Sequence, residues 1–116
     1  MQRIAISDSG VTITFTTPAL ISMYGTEMRP GSVDAYELPW DEVSVISVSV
    51  TEIPAAGWRS VHLTVDLTWG EFIEVDETAE GFADTLAKLS RLSGVVVPEL
   101  ATVTALDLEL WHRPVD

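Results

Sequence analysis

The chain has 116 residues, the usual length of one domain, and its 47% hydrophobic content argues against intrinsic disorder. Eighteen acidic residues against six basic ones give a formal net charge of -12, which disfavours nucleic acids and anionic lipid surfaces and favours basic proteins as partners. Cysteine is absent, which excludes disulfides, thiolate zinc sites and a cysteine nucleophile.

The sequence contains no apolar run long enough for a transmembrane helix, and residues 1–8 lack the apolar segment of a signal peptide. We therefore expect a cytoplasmic protein with no membrane partner, folded as a single domain over residues 1–116.

Alternating apolar residues predict short antiparallel strands in the first half of the chain. Residues 3–7 and 11–16 flank Asp8-Ser9-Gly10, a turn sequence, and predict a hairpin. Residues 20–24 form a short apolar run that we interpret as a strand. Residues 25–32, which contain two glycines, a proline and Arg29, predict a loop before a strand at residues 33–38.

The apolar pattern changes phase between Val45 and Ile46. A strand cannot change phase without a bulge, unless its first residues form a turn. We therefore expect a turn or irregular segment at residues 40–43, followed by a regular strand from about Val45 to Ile53.

The turn after the strand at residues 60–68 can be deduced from the apolar pattern. A two-residue turn at Trp69-Gly70 would pair Val65 with Glu74 and place a carboxylate on the apolar face. A three-residue turn over residues 68–70 pairs Val65 with Ile73 instead, and its third position requires the left-handed conformation that glycine adopts readily. We predict the three-residue turn, which places Trp69 at the tip and His62 opposite Asp76.

One amphipathic helix is predicted over residues 77–93, with Asp76 or Thr78 as its N-cap and Gly94 as its C-cap. Its charged residues suit the helix dipole, and Asp84 with Lys88 forms a favourable i,i+4 pair. Its apolar stripe consists of Phe82, Ala83, Leu86, Leu89 and Leu92. Leucines that alternate with acidic residues predict a tail strand at residues 104–112.

This order of elements resembles the pleckstrin-homology-like (PH-like) superfold, a bent seven-stranded barrel capped by a C-terminal helix. The chain is similar to small bacterial proteins of this type in a proline-tryptophan segment at residues 38–43, an acidic strand-to-helix junction at residues 75–82, and Trp111. The resemblance implies an α+β, mainly β fold: an antiparallel barrel of about seven strands over residues 1–76, capped by the helix. The tail strand departs from the simple PH pattern.

The resemblance does not imply lipid binding. The phosphoinositide site of PH domains needs a basic loop between the first two strands, and Asp8-Ser9-Gly10 contains no cation.

The densest run of negative charge follows the predicted hairpin tip, without a cation in it. We interpret it either as a solvated acidic face or as a docking face for a basic partner. The spacing does not match a calcium-binding loop, so we predict no metal site. The partner-binding candidates are Trp69, Glu71, Glu74, Asp76, Glu77, Glu80 and Asp84.

The only histidines are His62 and His112. Asp66 or Asp76 could orient the imidazole of His62, and Ser60 is nearby in sequence. However, no nucleophile elbow accompanies them, and no phosphate- or dinucleotide-binding glycine motif is present. We predict no catalytic residue and no cofactor.

The first hypothesis is a non-enzymatic protein-binding domain with a basic partner, in its sharper form a bacterial immunity protein that neutralises a basic toxin. The alternatives are a small hydrolase or metal-dependent enzyme that uses His62 with the acidic residues, and a self-associating structural module. The protein is expected to be a monomer, or a homodimer joined through an edge strand.

Overall fold

The computed structural model describes residues 1–114, which form a mainly β fold with one α-helix. Its strands are β1 (Gln2–Ser7), β2 (Gly10–Thr17), β3 (Leu20–Ile21), β4 (Glu27–Arg29), β5 (Ser32–Pro39), β6 (Val43–Ile53), β7 (Trp58–Leu67), β8 (Phe72–Asp76) and β9 (Ala105–His112). The helix α1 (Phe82–Ser93) lies between β8 and β9.

Over residues 1–114 the strands form three antiparallel sheets and not a closed barrel. One sheet has the order β1-β2-β5, a second consists of β3 and β4, and a third has the order β8-β7-β6-β9. The tail strand β9 therefore joins the free edge of β6, a position that its sequence did not predict.

The predicted register of the β7–β8 hairpin is confirmed. Val65 pairs with Ile73, and His62 pairs with Asp76. The backbone amide of Gly70 bonds to the carbonyl of Leu67 at 3.2 Å, and Gly70 has a φ of 92°. The three-residue turn keeps the apolar side chains of both strands on one face, because each strand alternates with a period of two.

The change of phase in the apolar pattern near Val45 has both of the causes that the sequence offered, a turn and a bulge. Residues Trp40–Glu42 form a short 3₁₀-helix, and the pairing of β6 with β7 shifts between Val43 and Val45. The bulge turns Val45 to the outward face while Val43 and Ile46 stay buried.

The helix begins later than predicted, and its N-cap is Gly81 instead of Asp76 or Thr78. Residues 77–81 are not helical because Glu80 exchanges backbone hydrogen bonds with β1: its amide bonds to Gln2 and its carbonyl to Ile4, both at 2.9 Å. Asp76 instead accepts a bond from the amide of Thr78 at 2.9 Å, which closes a local turn.

Two further details of the helix follow from its packing. The predicted C-cap is confirmed, since Gly94 has a φ of 76°. The buried stripe is Phe82, Thr85 and Leu89, with Leu86 partly buried. Ala83 and Leu92 are exposed, so their predicted place in the stripe is wrong.

A single core lies between the three-stranded sheet, the four-stranded sheet and one face of α1. Next to this core the rings of Trp40 and Trp111, which are both partly buried, lie 4.8 Å apart. The largest fully buried side chains are Ile4, Val11, Ile13, Val43, Ile46, Val48, Val61, Leu63, Val65, Val75, Leu89 and Leu110.

The chain between β2 and β5 projects as a two-stranded arm, which we define as residues 17–33. The predicted loop at residues 25–32 contains β4, which pairs with β3, and the predicted strand at residues 20–24 is only two residues long. The Cα radius of gyration is 16.5 Å, compared with roughly 13 Å for a compact domain of this length, as a projecting arm requires.

Arg59 fixes the segment that leads into β9. Its guanidinium donates to the carbonyl of Val103 at 2.7 Å, to the carbonyl of Leu100, and to the carboxylate of Glu52 at 3.1 Å. Among residues 1–114, no helix has the length and apolar character needed to cross a membrane.

Candidate functional site

The outward face of the four-stranded sheet is polar across all four strands. On β7 the side chains of Val61, Leu63 and Val65 are buried, so the alternate residues His62 and Thr64 point away from the core. The same alternation on the neighbouring strands produces a continuous surface opposite to the core.

Two cross-strand rows define the chemistry of this surface. One row contains Asp76, His62, Ser49 and Asp107, in the order β8, β7, β6, β9. The next row contains Glu74, Thr64, Ser47 and Glu109 in the same order. Each row has a carboxylate at both ends. The side chains between the carboxylates are those of His62 and Ser49 in the first row, and of Thr64 and Ser47 in the second.

We call the outward carboxylates of this sheet the acidic sheet face: Asp66, Glu74, Asp76, Asp107 and Glu109. Four of them form two acidic edges, on β8 and on β9, and neither row contains a lysine or arginine. Three strand spacings separate the edges, which is roughly 14 Å. The surface between the two edges carries mostly the short side chains of serine and threonine.

His62 lies in the middle of this face, with its side chain 26% exposed. Its Nε2 is 3.8 Å from Oε1 of Glu74, and its Nδ1 is 3.4 Å from Oγ of Ser60. These three residues are the nearest approach to a nucleophile–base–acid arrangement on the face, but they lie on an open sheet and at distances at or beyond the limit of a hydrogen bond.

A groove lies elsewhere, beside the tryptophan pair. It has a volume of about 660 Å³ and is lined mainly by Ile6, Trp40, Lys88, Arg91, Leu92 and Trp111. His62 does not line it, so this groove gives no support to the alternative of an enzyme that uses His62 with the acidic residues.

The six predicted acidic candidates do not form one surface. Glu74 and Asp76 lie on the acidic sheet face, whereas Glu71 follows the hairpin turn and Glu77 follows β8. Glu80 forms an ion pair with Arg3 at 2.8 Å, and Asp84 forms one with Lys88 at 3.0 Å.

Trp69 lies at the β7–β8 hairpin tip as predicted, and it is 53% exposed. Phe72, which begins β8, is 60% exposed on the outward side next to Asp66. Aromatic side chains therefore border one end of the acidic sheet face, where such groups commonly contribute to protein interfaces.

Sequence reasoning missed Asp66, Asp107 and Glu109 as members of one surface with Glu74. The alternation of Asp107 and Glu109 with leucines was visible, and it predicts that both carboxylates share a face of the tail strand. Which strand they would join depends on long-range pairing, which the local pattern does not contain.

Within the described residues 1–114, no group of three or more His, Asp or Glu side chains is arranged to hold a metal ion. Four carboxylates of the acidic sheet face are instead distributed along the two outer strands, and Asp66 lies on β7.

Comparison with protein-family models, with curated proteins and with solved structures gives no match.

Proposed function

We propose that the protein is a non-enzymatic binding domain whose acidic sheet face docks a basic segment of another protein. The observation that carries this proposal is the pair of cross-strand rows, which bring Asp107 and Glu109 of the tail strand into one surface with Glu74 and Asp76. A surface of one charge sign steers an oppositely charged partner and selects against others.

The shape of the face indicates the size of the docked segment. An α-helix with its side chains is about 10–12 Å wide, which fits between carboxylate edges roughly 14 Å apart. Lysine or arginine on both flanks of such a helix would meet carboxylates on both edges, and its ridge would rest on Ser47, Ser49 and Thr64.

The immunity-protein form of this proposal takes the basic partner to be a toxin. It is supported by the small size, by the net charge of -12 and by the rigid sheet that presents the carboxylates. The PH-like assignment remains a prediction, and the binding proposal does not depend on it.

The alternative of hydrolysis would use Ser60, His62 and Glu74. We favour binding because the distances of 3.4 Å and 3.8 Å leave His62 without a firm hydrogen bond to either residue. The open sheet also provides no wall to exclude water from a reacting group.

The test is co-purification of the tagged full chain from a lysate of the native host at low salt, where electrostatic attraction is least screened, with identification of bound proteins by mass spectrometry. Two double variants remove the same amount of charge. Glu74→Gln with Glu109→Gln alters both edges of the acidic sheet face, whereas Glu80→Gln with Asp84→Asn removes carboxylates that already pair with Arg3 and Lys88.

We expect wild type and the Glu80/Asp84 variant to retain the same basic protein, and the Glu74/Glu109 variant to retain several-fold less. Recovery of no basic protein by wild type, or equal loss in the two double variants, would refute the proposal.

A further inference from the structure

We propose that the projecting arm, residues 17–33, is a dimerisation element that packs against the arm of a second copy of this chain. This surface is separate from the acidic sheet face, and the inference does not depend on the proposed binding function.

The arm exposes apolar side chains along its whole length. Every residue of the arm except Ser22 is exposed. Met23 and Tyr24 at its tip are 89% and 88% exposed, the highest values among the large hydrophobic residues of the described chain. The other large apolar side chains of the arm are Leu20, Ile21, Met28 and Val33.

The tip is nevertheless ordered. The hydroxyl of Ser22 accepts hydrogen bonds from the amides of Tyr24 at 3.3 Å and Thr26 at 3.1 Å. The amide of Ser22 bonds to the carbonyl of Thr26 at 2.8 Å, and Gly25 closes the turn with a φ of 79°. Because this turn is fixed by its own hydrogen bonds, the backbone at Met23 and Tyr24 has little entropy left to lose on binding.

The body of the protein does not support the arm beyond Phe15 and Tyr36. These two rings make an edge contact at 6.1 Å where the three-stranded sheet ends. Further out, β3 pairs with β4 alone. A two-stranded ribbon whose apolar side chains are exposed is marginally stable in water. The arm therefore needs another molecule to cover its apolar side chains.

The charge of the arm favours a second copy of this chain as the molecule that covers it. The arm contains one acid, Glu27, and one base, Arg29, and is therefore neutral, while the whole chain carries a net charge of -12. Two copies repel each other wherever their acidic bodies meet, but not where two neutral arms meet. The arm also offers no excess carboxylate to a basic protein, which would prefer the acidic sheet face.

The apolar area of the arm is sufficient for a stable contact. A fully covered tyrosine buries roughly 150–250 Å². Tyr24 with the other large apolar side chains of the arm therefore approaches the roughly 800 Å² that each partner buries in a typical specific interface.

The experiment is sedimentation of the full chain over a concentration series in about 0.15 M salt, where the screening length is about 8 Å. We expect a concentration-dependent dimer. Tyr24→Ser and Met23→Ser are expected to raise the dimer Kd by about tenfold or more, because truncation of central interface anchors has effects of this size. Val96→Ser is the matched control, since Val96 is 84% exposed outside the arm, and it should leave the Kd unchanged.

A wild-type chain that stays monomeric at every concentration, or a dimer whose Kd is unchanged by Tyr24→Ser, would overturn the inference.

Discussion

Asp76 and Asp107 lie at the two ends of one row across the four-stranded sheet, with His62 and Ser49 between them. Asp76 belongs to the acidic stretch that follows the β7–β8 hairpin, whereas Asp107 belongs to the tail strand. The acidic sheet face is therefore a product of long-range strand pairing and not of one acidic segment. Its integrity depends on whatever holds the tail strand in place.

Arg59 is expected to hold the segment that precedes the tail strand. Its guanidinium donates to Leu100, Val103 and Glu52 from a half-buried position. Arg59→Ala should lower the free energy of unfolding by roughly 2–3 kcal/mol, because the part-buried carbonyls of Leu100 and Val103 lose a charged hydrogen-bond donor. It should also speed amide exchange at Thr102 and Val103.

The matched control is Arg91→Ala, which removes the same charge from an exposed site on α1. Urea unfolding measures both variants. Equal midpoints for the two would contradict the role given to Arg59.

The observed helix face predicts different costs for two leucines of α1. Leu89 is fully buried, whereas Leu92 is 63% exposed. Leu89→Ala should destabilise the protein by about 2–5 kcal/mol, because it leaves a cavity in the core. Leu92→Ala should change stability by no more than about 0.5 kcal/mol. Thermal or urea unfolding of both distinguishes this helix orientation from the predicted one, in which both leucines would be costly.

Gly81 is expected to be less replaceable than Gly94, although both adopt left-handed backbone conformations. Their φ values are 85° and 76°. A Cβ at position 81 would collide with the carbonyl oxygen of Ile4, whereas nothing lies within 4 Å of one at position 94. Gly94→Ala should cost about 1 kcal/mol from the backbone alone, and Gly81→Ala clearly more, because β1 must also move.

Urea unfolding with matched protein concentrations measures this difference. If the two glycine variants lose the same stability, the close approach of residue 81 to β1 is not a constraint on the fold.

Local patterns predicted the elements whose partners are close in sequence. The register of Val65 with Ile73 followed from the alternation of two strands and from the position of Gly70, because a hairpin is determined by nearby residues. The phase change near Val45 likewise indicated the bulge. In the same way, Gly94 ended the helix where expected.

Long-range contacts determined what the local patterns could not. Residues 77–81 look helical in sequence, but Glu80 bonds to the edge of β1 and delays the helix to Phe82. The pairing of β9 with β6 brought Asp107 and Glu109 to the surface that holds Glu74. The arm was predicted partly as a loop because both of its faces are exposed. Its apolar residues therefore do not alternate with polar ones in the way that identifies a strand packed on a core.

The most direct test of the acidic sheet face is a map of where a captured basic partner touches the protein. Backbone amide shifts of the isotope-labelled chain are followed while the partner is added. We expect the largest changes at Ser47, Ser49, His62 and Thr64, between the two carboxylate edges, with smaller changes on α1 and the arm. Changes concentrated on α1 or on residues 17–33, with the amides of β6 and β7 unmoved, would contradict the account.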